Sequence, residues 1–145
     1  MLALIQRVKE ARVEVAAEVV GAIEQGLLVF LGIERDDTNA DADRLLKKVL
    51  AYRVFADAEN KMNLSVQDVN GGLLVVSQFT LAATTDKGLR PGFSSAKAPE
   101  EAKVLYQYFL DSAHKNYHKV AAGEFGADMQ VALINDGPVT FLLRS

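Results

Sequence analysis

The chain has 145 residues, half of which are apolar, with a net charge of −3 and no cysteine. This length allows one buried core and is short for two, so we expect a single domain over residues 1–145; the lack of cysteine excludes disulfides and thiolate chemistry and is typical of a cytoplasmic protein. No apolar run approaches the ~20 residues of a membrane helix, and the acidic total argues against indiscriminate nucleic-acid binding, although a local basic patch can still attract phosphate.

The first third of the chain is predicted to form strands. They cover residues 2–8, the alternating segment around Val13 and Val15, and residues 26–33. The last of these is apolar on both faces, which is typical of a central strand. Residues 15–18 lack the Gly or Asp of a tight turn, so we expect a looser or longer hairpin there.

Two main helices are predicted. The first begins at Asp37–Thr38, where acidic residues in the first turn favour the helix dipole, and it runs to about Arg53. The second begins at Pro99, a residue suited to the first helical position. Each helix carries one apolar stripe, formed by Ala42, Leu45, Leu46, Val49 and Leu50 in the first and by Ala102, Leu105, Tyr106, Phe109 and Ala113 in the second.

The rest of the chain adds strands and one long loop. A turn signal at residues 70–72 precedes a strand predicted over residues 73–81 and buried on both sides. The polar segment 84–98 is too long for a simple turn and is a candidate functional loop. Two final strands, 129–134 and 139–143, flank a turn at 135–138. This order predicts a mixed α/β domain with a partly antiparallel sheet and a hairpin at each end.

The usual catalytic side chains are scarce. His114 and His118 lie four residues apart on the second predicted helix, a spacing that could bind a metal. Because no carboxylate-rich motif accompanies them, an exposed basic face is the favoured interpretation. We therefore expect no metal site and no organic cofactor.

Thr80 is the best candidate nucleophile, because it ends a buried strand just before the polar loop. No base accompanies it, and an unassisted hydroxyl is a poor nucleophile, so a structural threonine remains the simpler alternative. Ser77 and Gln78 interrupt the same strand. They either satisfy backbone groups at the strand end or belong to a site, and spacing alone leaves both open.

Residues 135–138, Asn-Asp-Gly-Pro, predict an ordinary turn when taken alone. The bond before a proline is cis in about 5–6% of cases, and a cis bond turns successive carbonyls in an unusual direction. Such carbonyls could line a pocket. The residues alone leave both interpretations open.

Taken together, the segments Ser77-Gln78-Phe79-Thr80-Leu81 and Asn135-Asp136-Gly137-Pro138-Val139-Thr140 resemble the two signature motifs of the D-aminoacyl-tRNA deacylase family. The likeness extends to residues 6–8, 61–65, 87–91 and 125–129, which is effectively the whole chain. In contrast, Thr84 stands where family members often carry Asp, so no carboxylate role is expected there.

This resemblance implies a three-layer α/β/β domain with a mixed, largely antiparallel sheet or barrel. It also implies a homodimer with two active sites at the subunit interface. One subunit would supply the catalytic wall, and the other would supply a chirality gate with a cis bond. The wall consists of Ser77, Gln78, Phe79 and Thr80, and the gate of Gly137 and Pro138.

The implied activity is hydrolysis of the ester in D-aminoacyl-tRNA, which releases the D-amino acid and the tRNA. The gate would reject L-amino acids by steric exclusion. Since glycine has no side chain to clash, glycyl-tRNA mischarged on tRNA-Ala should also be a substrate. The implied mechanism depends on backbone groups and on the terminal 2′-hydroxyl of the tRNA.

Three basic residues receive roles from the resemblance. Arg7 resembles an arginine that supports the gate, with a solvent-facing strand arginine as the alternative. Lys87 and Arg90 are candidate contacts to phosphates of the aminoacyl-tRNA acceptor end, with a solvated loop as the alternative. RNA is thus the expected partner, and neither DNA nor a membrane is expected.

Two other functions are weighed against this one. A silent domain that binds RNA ends or small amino compounds is disfavoured by the presence of both intact motifs. A hydrolase of unrelated small esters would be better served by a Ser-His pair than by these residues.

Overall fold

The computed structural model describes all 145 residues. It contains eight strands, two α-helices and one short 3-10 turn. In chain order the elements are β1 (Leu2–Val15), β2 (Glu18–Ile23), β3 (Gly26–Gly32), α1 (Asn39–Ala51), β4 (Phe55–Ala56), β5 (Met62–Leu64), β6 (Gly72–Ser77), the 3-10 turn (Phe79–Ala82), α2 (Pro99–Asn116), β7 (Val120–Ala122) and β8 (Gln130–Arg144).

The main sheet is organised around β1. Its first half pairs antiparallel with β3, its second half with β2, and β8 runs antiparallel along its other edge. β6 joins β3 and β7 joins β6, both in parallel. β2 and β7 then come so close that a Cβ on Gly21 would lie 2.4 Å from the Ala122 carbonyl oxygen. The sheet is therefore mixed, largely antiparallel and nearly closed, which confirms the predicted fold class.

Apolar side chains cover both faces of this sheet. Along β3, Leu27 and Val29 belong to a cluster of 25 buried residues that joins the sheet to α1 and α2, whereas Leu28 points to the other face. There it belongs to a second cluster of six buried residues, against which Met129 and Val131 pack. This alternation explains why the strand is apolar on both faces. It also produces the three layers. The helices cover one face of the sheet, and the curved part of the sheet that includes β8 covers the other face.

Both predicted helices are present, and neither is long and apolar enough to cross a bilayer. At the start of α1, the Asp41 carboxylate accepts hydrogen bonds from the Thr38 hydroxyl and amide at 2.7 and 2.8 Å, and these bonds lower its pKa. α1 ends at Ala51, two residues before the predicted end at about Arg53, because Tyr52 already has an extended backbone. α2 begins at Pro99 as predicted.

The predicted strand 73–81 is four residues too long at its carboxyl end. β6 ends at Ser77, and the chain then forms the 3-10 turn Phe79–Ala82. Ser77 pairs with Leu31, one residue before β3 itself ends at Gly32. Because a strand needs a partner, the apolar residues beyond this point coil back over the sheet edge instead of extending it.

The two predicted terminal hairpins both differ from the structure. The first is tight rather than loose, because Ala16 and Ala17 both take positive φ (50° and 65°), and Val15 pairs directly with Glu18. The second is not a hairpin. β8 is one long strand whose two halves pair with the same strand, β1.

Candidate functional site

The carboxyl ends of β3 and β6 open into a cavity of about 450 Å³. Ten of its fifteen lining residues are hydrophobic, and the polar ones are concentrated just after β6. The lining consists of Phe30, Leu31, Ile33, Val76, Ser77, Gln78, Phe79, Thr80, Pro99, Ala102, Phe125, Gly126, Ala127, Met129 and Val131. All four residues predicted for the catalytic wall therefore meet in one cavity.

The end of β6 positions this wall. The Gln78 amide donates to the Leu31 carbonyl at 2.8 Å, which ties the end of β6 to β3. The 3-10 turn then begins, and its first hydrogen bond runs from the Leu81 amide to the Gln78 carbonyl. The amides of Phe79 and Thr80 precede that bond and are not used by it, as is usual at the start of a helical turn. Two backbone donors thus lie at the exposed rim of the cavity.

Thr80 has no base beside it. The Gln78 side-chain amide donates to the Thr80 hydroxyl oxygen at 2.6 Å, and an amide N–H cannot remove a proton. None of the fifteen lining residues is Asp, Glu, His, Lys, Arg, Cys or Tyr. Tyr106 packs behind the lining residue Phe125 with a ring separation of 5.5 Å, and burial raises its pKa to about 12, so it remains protonated. The cavity therefore offers hydrogen bonds and apolar surface but no general base.

The rim of the cavity carries an aromatic pair that the sequence analysis did not predict. Phe79 and Phe93 stack with ring centroids 4.8 Å apart and an angle of 22° between the planes, and both are more than 40% exposed. Such a surface can stack a nucleobase. Phe93 is the one aromatic residue in the otherwise polar segment 84–98, and this isolation is the sequence feature that could have indicated a role at the site.

The floor of the cavity was also missed by the sequence analysis. No sequence feature marks Phe30, Phe125, Met129 or Val131 as part of a site. Their apolar character is indistinguishable in sequence from that of the core. The fold brings Phe30 of β3, Val131 of β8, and Phe125 and Met129 of the segment between β7 and β8 together in the lining of one cavity.

The second motif forms a bulge in β8. Gln6 pairs with Thr140 and Val8 with Asn135, so residues 136–139 lie opposite the single residue Arg7. We call these four residues the β8 bulge. Within it, the bond from Gly137 to Pro138 is cis and Gly137 has φ of +134°, a conformation open mainly to glycine. The chain thus places the Gly-Pro pair on the outer edge of the sheet.

Arg7 is mostly buried and binds this bulge directly. Its Nε donates to the Asp136 carbonyl at 2.9 Å and lies 3.4 Å from the Asp136 carboxylate, and its Nη1 donates to the Val54 carbonyl at 2.6 Å. Arg7 is therefore not an ordinary solvent-facing strand arginine. The guanidinium connects the β8 bulge to the segment that follows α1.

Within one chain the two motifs do not meet. Gly137 and Pro138 are absent from the cavity lining, and both are exposed at the edge of the sheet. The residues on either side of Arg7 pair with the start of β3, Gln6 with Leu28 and Val8 with Gly26. The cavity lies at the opposite end of β3. One copy of the chain therefore carries two separate halves of the predicted site.

The loop that carries Lys87 and Arg90 borders the cavity. Its base is closed by two backbone hydrogen bonds between Thr84 and Gly92, of 2.8 and 2.9 Å. Lys87 and Arg90 are exposed at its tip. The Thr84 hydroxyl also donates to the Gly92 carbonyl, at 3.2 Å, so the threonine found in place of Asp helps to close the loop.

The two histidines are not paired on a helix. α2 ends at Asn116, so only His114 is helical, and His118 packs edge-on against the ring of Tyr117. The predicted placement of both residues on one helix is wrong. The chain contains no group of three or more His, Cys, Asp or Glu side chains arranged to hold a metal.

Comparison with known proteins identifies the family. A family model described as D-Tyr-tRNA(Tyr) deacylase matches residues 4–144. Proteins named D-aminoacyl-tRNA deacylase from Cellvibrio japonicus and Stutzerimonas stutzeri are both 62% identical, over 99% and 100% of this chain and of their own lengths. A third, from Pseudomonas fluorescens, is 63% identical over the whole of both chains.

Two solved structures share the fold. One, described as a c-Myc DNA unwinding element binding protein, is 42% identical, with a TM-score of 0.96 over 100% of this chain and 99% of the other. The other, described as a probable eukaryotic D-amino acid tRNA deacylase, has a TM-score of 0.86 over 98% and 97% of the two chains, and at 16% identity it supports the fold alone.

The fold and the cavity define a class of small mixed α/β proteins with a largely apolar cavity at the carboxyl ends of two parallel strands. Within that class, this chain belongs to the D-Tyr-tRNA(Tyr) deacylase family of enzymes, whose members are named D-aminoacyl-tRNA deacylases. The family was identified correctly from the two sequence motifs.

Proposed function

We propose that this enzyme hydrolyses the ester of D-aminoacyl-tRNA without a catalytic side chain of its own. The observation that carries the proposal is a cavity that holds the whole Ser77–Thr80 motif but no titratable residue. A reaction that the protein must catalyse there has to draw on backbone groups and on the substrate. Aminoacyl-tRNA carries a suitable group, the 2′-hydroxyl beside the ester.

The reaction steps follow from this chemistry. A water oxygen bonds to the ester carbonyl carbon, the bond from that carbon to the ribose oxygen breaks, and the water proton passes to the ribose oxygen. The 2′-hydroxyl lies within reach of both oxygens and can relay the proton. The free amides of Phe79 and Thr80 then stabilise the negative charge on the carbonyl oxygen, at roughly 3 kcal/mol per well-placed donor.

Thr80 is proposed to position the substrate rather than to attack it. Its hydroxyl already accepts a hydrogen bond from Gln78 and has no base nearby. We therefore expect Thr80→Ala to retain measurable deacylation, because the backbone donors remain. Complete loss of activity, with folding and tRNA binding intact, would instead support a nucleophilic threonine.

The complete site is proposed to form in a homodimer. β8 pairs with no strand other than β1, so its outer edge is open, and Ile134, Phe141 and Leu142 on it are 41–51% exposed. A long edge strand with exposed apolar residues favours pairing with another chain. A second copy that covers this edge would bring its own β8 bulge towards the cavity of the first, which joins the two halves of the site.

Gly137 and Pro138 are proposed to act as the chirality gate in that dimer. Their carbonyls would accept hydrogen bonds from the substrate amino group and occupy the space that an L side chain needs. Glycine fits such a gate, so glycyl-tRNA mischarged on tRNA-Ala is a proposed second substrate. Arg7 is proposed to hold the gate through the Asp136 carbonyl.

The proposed partner is the acceptor end of aminoacyl-tRNA in the cytoplasm, contacted by Lys87 and Arg90. A double substitution of these residues with Gln should lower the slope of log affinity against log salt by up to about two. One solved relative is described as a DNA-binding protein, so duplex DNA is the competitor to include. If DNA displaces tRNA at equal concentration, the proposed preference for RNA is wrong.

The central experiment compares three substrates under identical conditions. Purified enzyme is incubated with D-Tyr-tRNA, L-Tyr-tRNA and glycyl-tRNA, and the rates are corrected for hydrolysis in buffer alone. We expect rapid loss of the D and glycyl esters and none of the L ester. Equal hydrolysis of the L ester would refute the gate, and no hydrolysis of any ester would favour a silent binding domain.

A further inference from the structure

The loop between Thr84 and Gly92 is firmly attached at its base and open at its tip. The paired backbone bonds of Thr84 and Gly92 close the base, and the Ser95 hydroxyl donates to the Ala82 carbonyl at 2.6 Å. Phe93, the next residue after the base, stacks on Phe79 at the rim of the cavity. These contacts attach the base of the loop to the rim of the cavity, and the tip extends from that base.

Leu89 lies at the tip without any protein contact to bury it. Its relative exposure is 106%, the highest among the large apolar residues of the chain. The preceding residue, Gly88, has φ of +71°, and a Cβ placed on it would meet no atom within 4 Å. The glycine therefore makes a sharp turn in open solvent and presents the leucine outward.

The charges beside this leucine indicate what it contacts. Lys87 and Arg90 flank it in the sequence and are exposed, and neither forms an ion pair. An apolar group between two free cations is complementary to an apolar surface bordered by anions. A stacked nucleobase between two phosphates has this pattern, whereas an apolar protein surface does not require the cations.

The length of the loop is compatible with the geometry of an acceptor end. Leu89 is four residues from Phe93, so its backbone can lie at most about 13 Å from the aromatic rim. A tRNA ends in four unpaired nucleotides, and stacked nucleotides advance by about 3.4 Å each, or roughly 14 Å in total. With the terminal nucleotide at the aromatic pair, a tip extended to this limit would reach the place where the single strand joins the stem.

We propose that Leu89 is an apolar wedge that packs on the stacked base at the junction of the unpaired 3′ end and the acceptor stem, between phosphates bound by Lys87 and Arg90. This inference rests on the proposed function, because it assumes that the terminal nucleotide occupies the cavity. It adds a contact to the stem junction, which the cavity itself cannot reach. The enzyme would then distinguish a whole tRNA from a short aminoacylated end.

The test uses two substrates that differ only in the stem. One is D-Tyr-tRNA, and the other is D-Tyr esterified to the trinucleotide CCA. For Leu89→Ser we expect kcat/KM on the tRNA to fall about tenfold, since loss of one stacking contact of ordinary strength has an effect of this size. The value on the trinucleotide should not change. Leu89→Met, which keeps the apolar contact, should restore most of the activity on the tRNA.

A matched control is the exposed residue Val104 of α2, which is 73% exposed and belongs to no site. Val104→Ser should leave both rates unchanged. An equal loss on both substrates for Leu89→Ser would place the leucine at the cavity rather than at the stem, and no loss on either would show that it makes no contact. Each result would overturn the proposal.

Direct binding separates this inference from the proposed activity. Uncharged tRNA and the free CCA trinucleotide are titrated into wild type and Leu89→Ser at fixed salt. Weaker binding of the tRNA alone supports the wedge even if the wild-type enzyme fails to hydrolyse any ester. Unchanged binding of the tRNA contradicts the wedge even if hydrolysis proceeds as proposed.

Discussion

Arg7 shows how one side chain can support an irregular segment. It lies opposite the four residues of the β8 bulge and hydrogen-bonds to the carbonyls of Asp136 and Val54 through two different nitrogens. A lysine places all its donors on one atom and cannot span both carbonyls. The arginine therefore makes one side-chain hydrogen bond to the β8 bulge, where the backbone pairing is interrupted, and joins it to the segment after α1.

The first prediction follows from that geometry. We expect Arg7→Lys to reduce deacylation of D-Tyr-tRNA by at least tenfold and to lower stability by about 2 kcal/mol, since one charged hydrogen bond is lost. The matched control is Arg12→Lys in the same strand, an exposed residue paired with Glu14. The measurements are deacylation rates and urea unfolding. If Arg7→Lys and Arg12→Lys behave alike, the supporting role of Arg7 is wrong.

A second prediction concerns Tyr106 and alkaline pH. Its hydroxyl donates to the Val75 carbonyl at 3.2 Å, and burial raises its pKa from 10.0 to about 12. Between these two values the unfolded chain loses a proton that the folded protein keeps. The contribution of Tyr106 to stability is therefore complete below pH 10 and is lost as pH rises towards 12.

Tyr106→Phe should remove the part of the alkaline loss of stability that is due to Tyr106, and it should lower stability near neutral pH only slightly. The Val75 carbonyl keeps its bond from the Gly123 amide at 2.9 Å, so we expect a loss of about 1 kcal/mol or less near neutral pH. Urea midpoints measured at neutral and alkaline pH should show a smaller alkaline decrease for the variant than for wild type. A similar decrease in both proteins would assign the alkaline loss to other groups, such as Tyr117, whose pKa burial also raises.

At the scale of elements, sequence patterns predicted what depends on local chemistry. The apolar stripes, the acidic first turns and Pro99 located both helices, and apolar or alternating segments located β1, β3, β6 and β8, whereas β2, β4, β5 and β7 were not predicted. The errors occurred where a partner strand decides the outcome. β6 ends because β3 ends, and residues 135–138 become a bulge rather than a turn because both halves of β8 pair with β1.

The site could be predicted only as two motifs. Ser77, Gln78 and Thr80 were noticeable because they interrupt an apolar strand, but only the resemblance to the family motifs assigned Ser77–Thr80 and Gly137–Pro138 to a site. The apolar floor, including Phe125 and Met129, was not predictable, since side chains that line a cavity and side chains that fill a core have the same composition.

The turn between β1 and β2 gives a third prediction. Ala16 and Ala17 both adopt positive φ, which suits the Asn-Gly sequence of a two-residue hairpin turn and costs an alanine about 1 kcal/mol or more. We expect the double substitution Ala16→Asn, Ala17→Gly to stabilise the protein by about 1–2 kcal/mol and to raise Tm by several degrees. Neither residue lines the cavity, so activity should not change.

The control for the turn is Ala22→Gly in β2, an exposed strand position with ordinary φ. Glycine there should lower Tm, because it adds freedom to the unfolded chain without relieving any strain. Thermal unfolding followed by circular dichroism measures all three proteins. A lower Tm for the turn variant would show that the two alanines carry no conformational cost.

At the scale of the whole molecule, the open edge of β8 and the separation of the two motifs have one explanation in common. In the proposed homodimer, the half of the site at the end of β3 would meet the half on the exposed strand edge of a second copy. A closed, two-fold dimer uses the same edge twice and so forms two equal sites. Mass measurement in solution should therefore return twice the mass of the chain, and a monomer would contradict the shared site.

Complementation between two inactive variants tests the sharing itself. Thr80→Arg places a long side chain at the mouth of the cavity, and Pro138→Ala alters the proposed gate in the β8 bulge. A homodimer of either variant should lose most of its activity. After the two proteins are mixed equally and their subunits exchanged, about half of the dimers are mixed. Each mixed dimer then holds one site with both halves intact and one with both altered. About a quarter of wild-type activity should return, whereas a site built within one chain would give none.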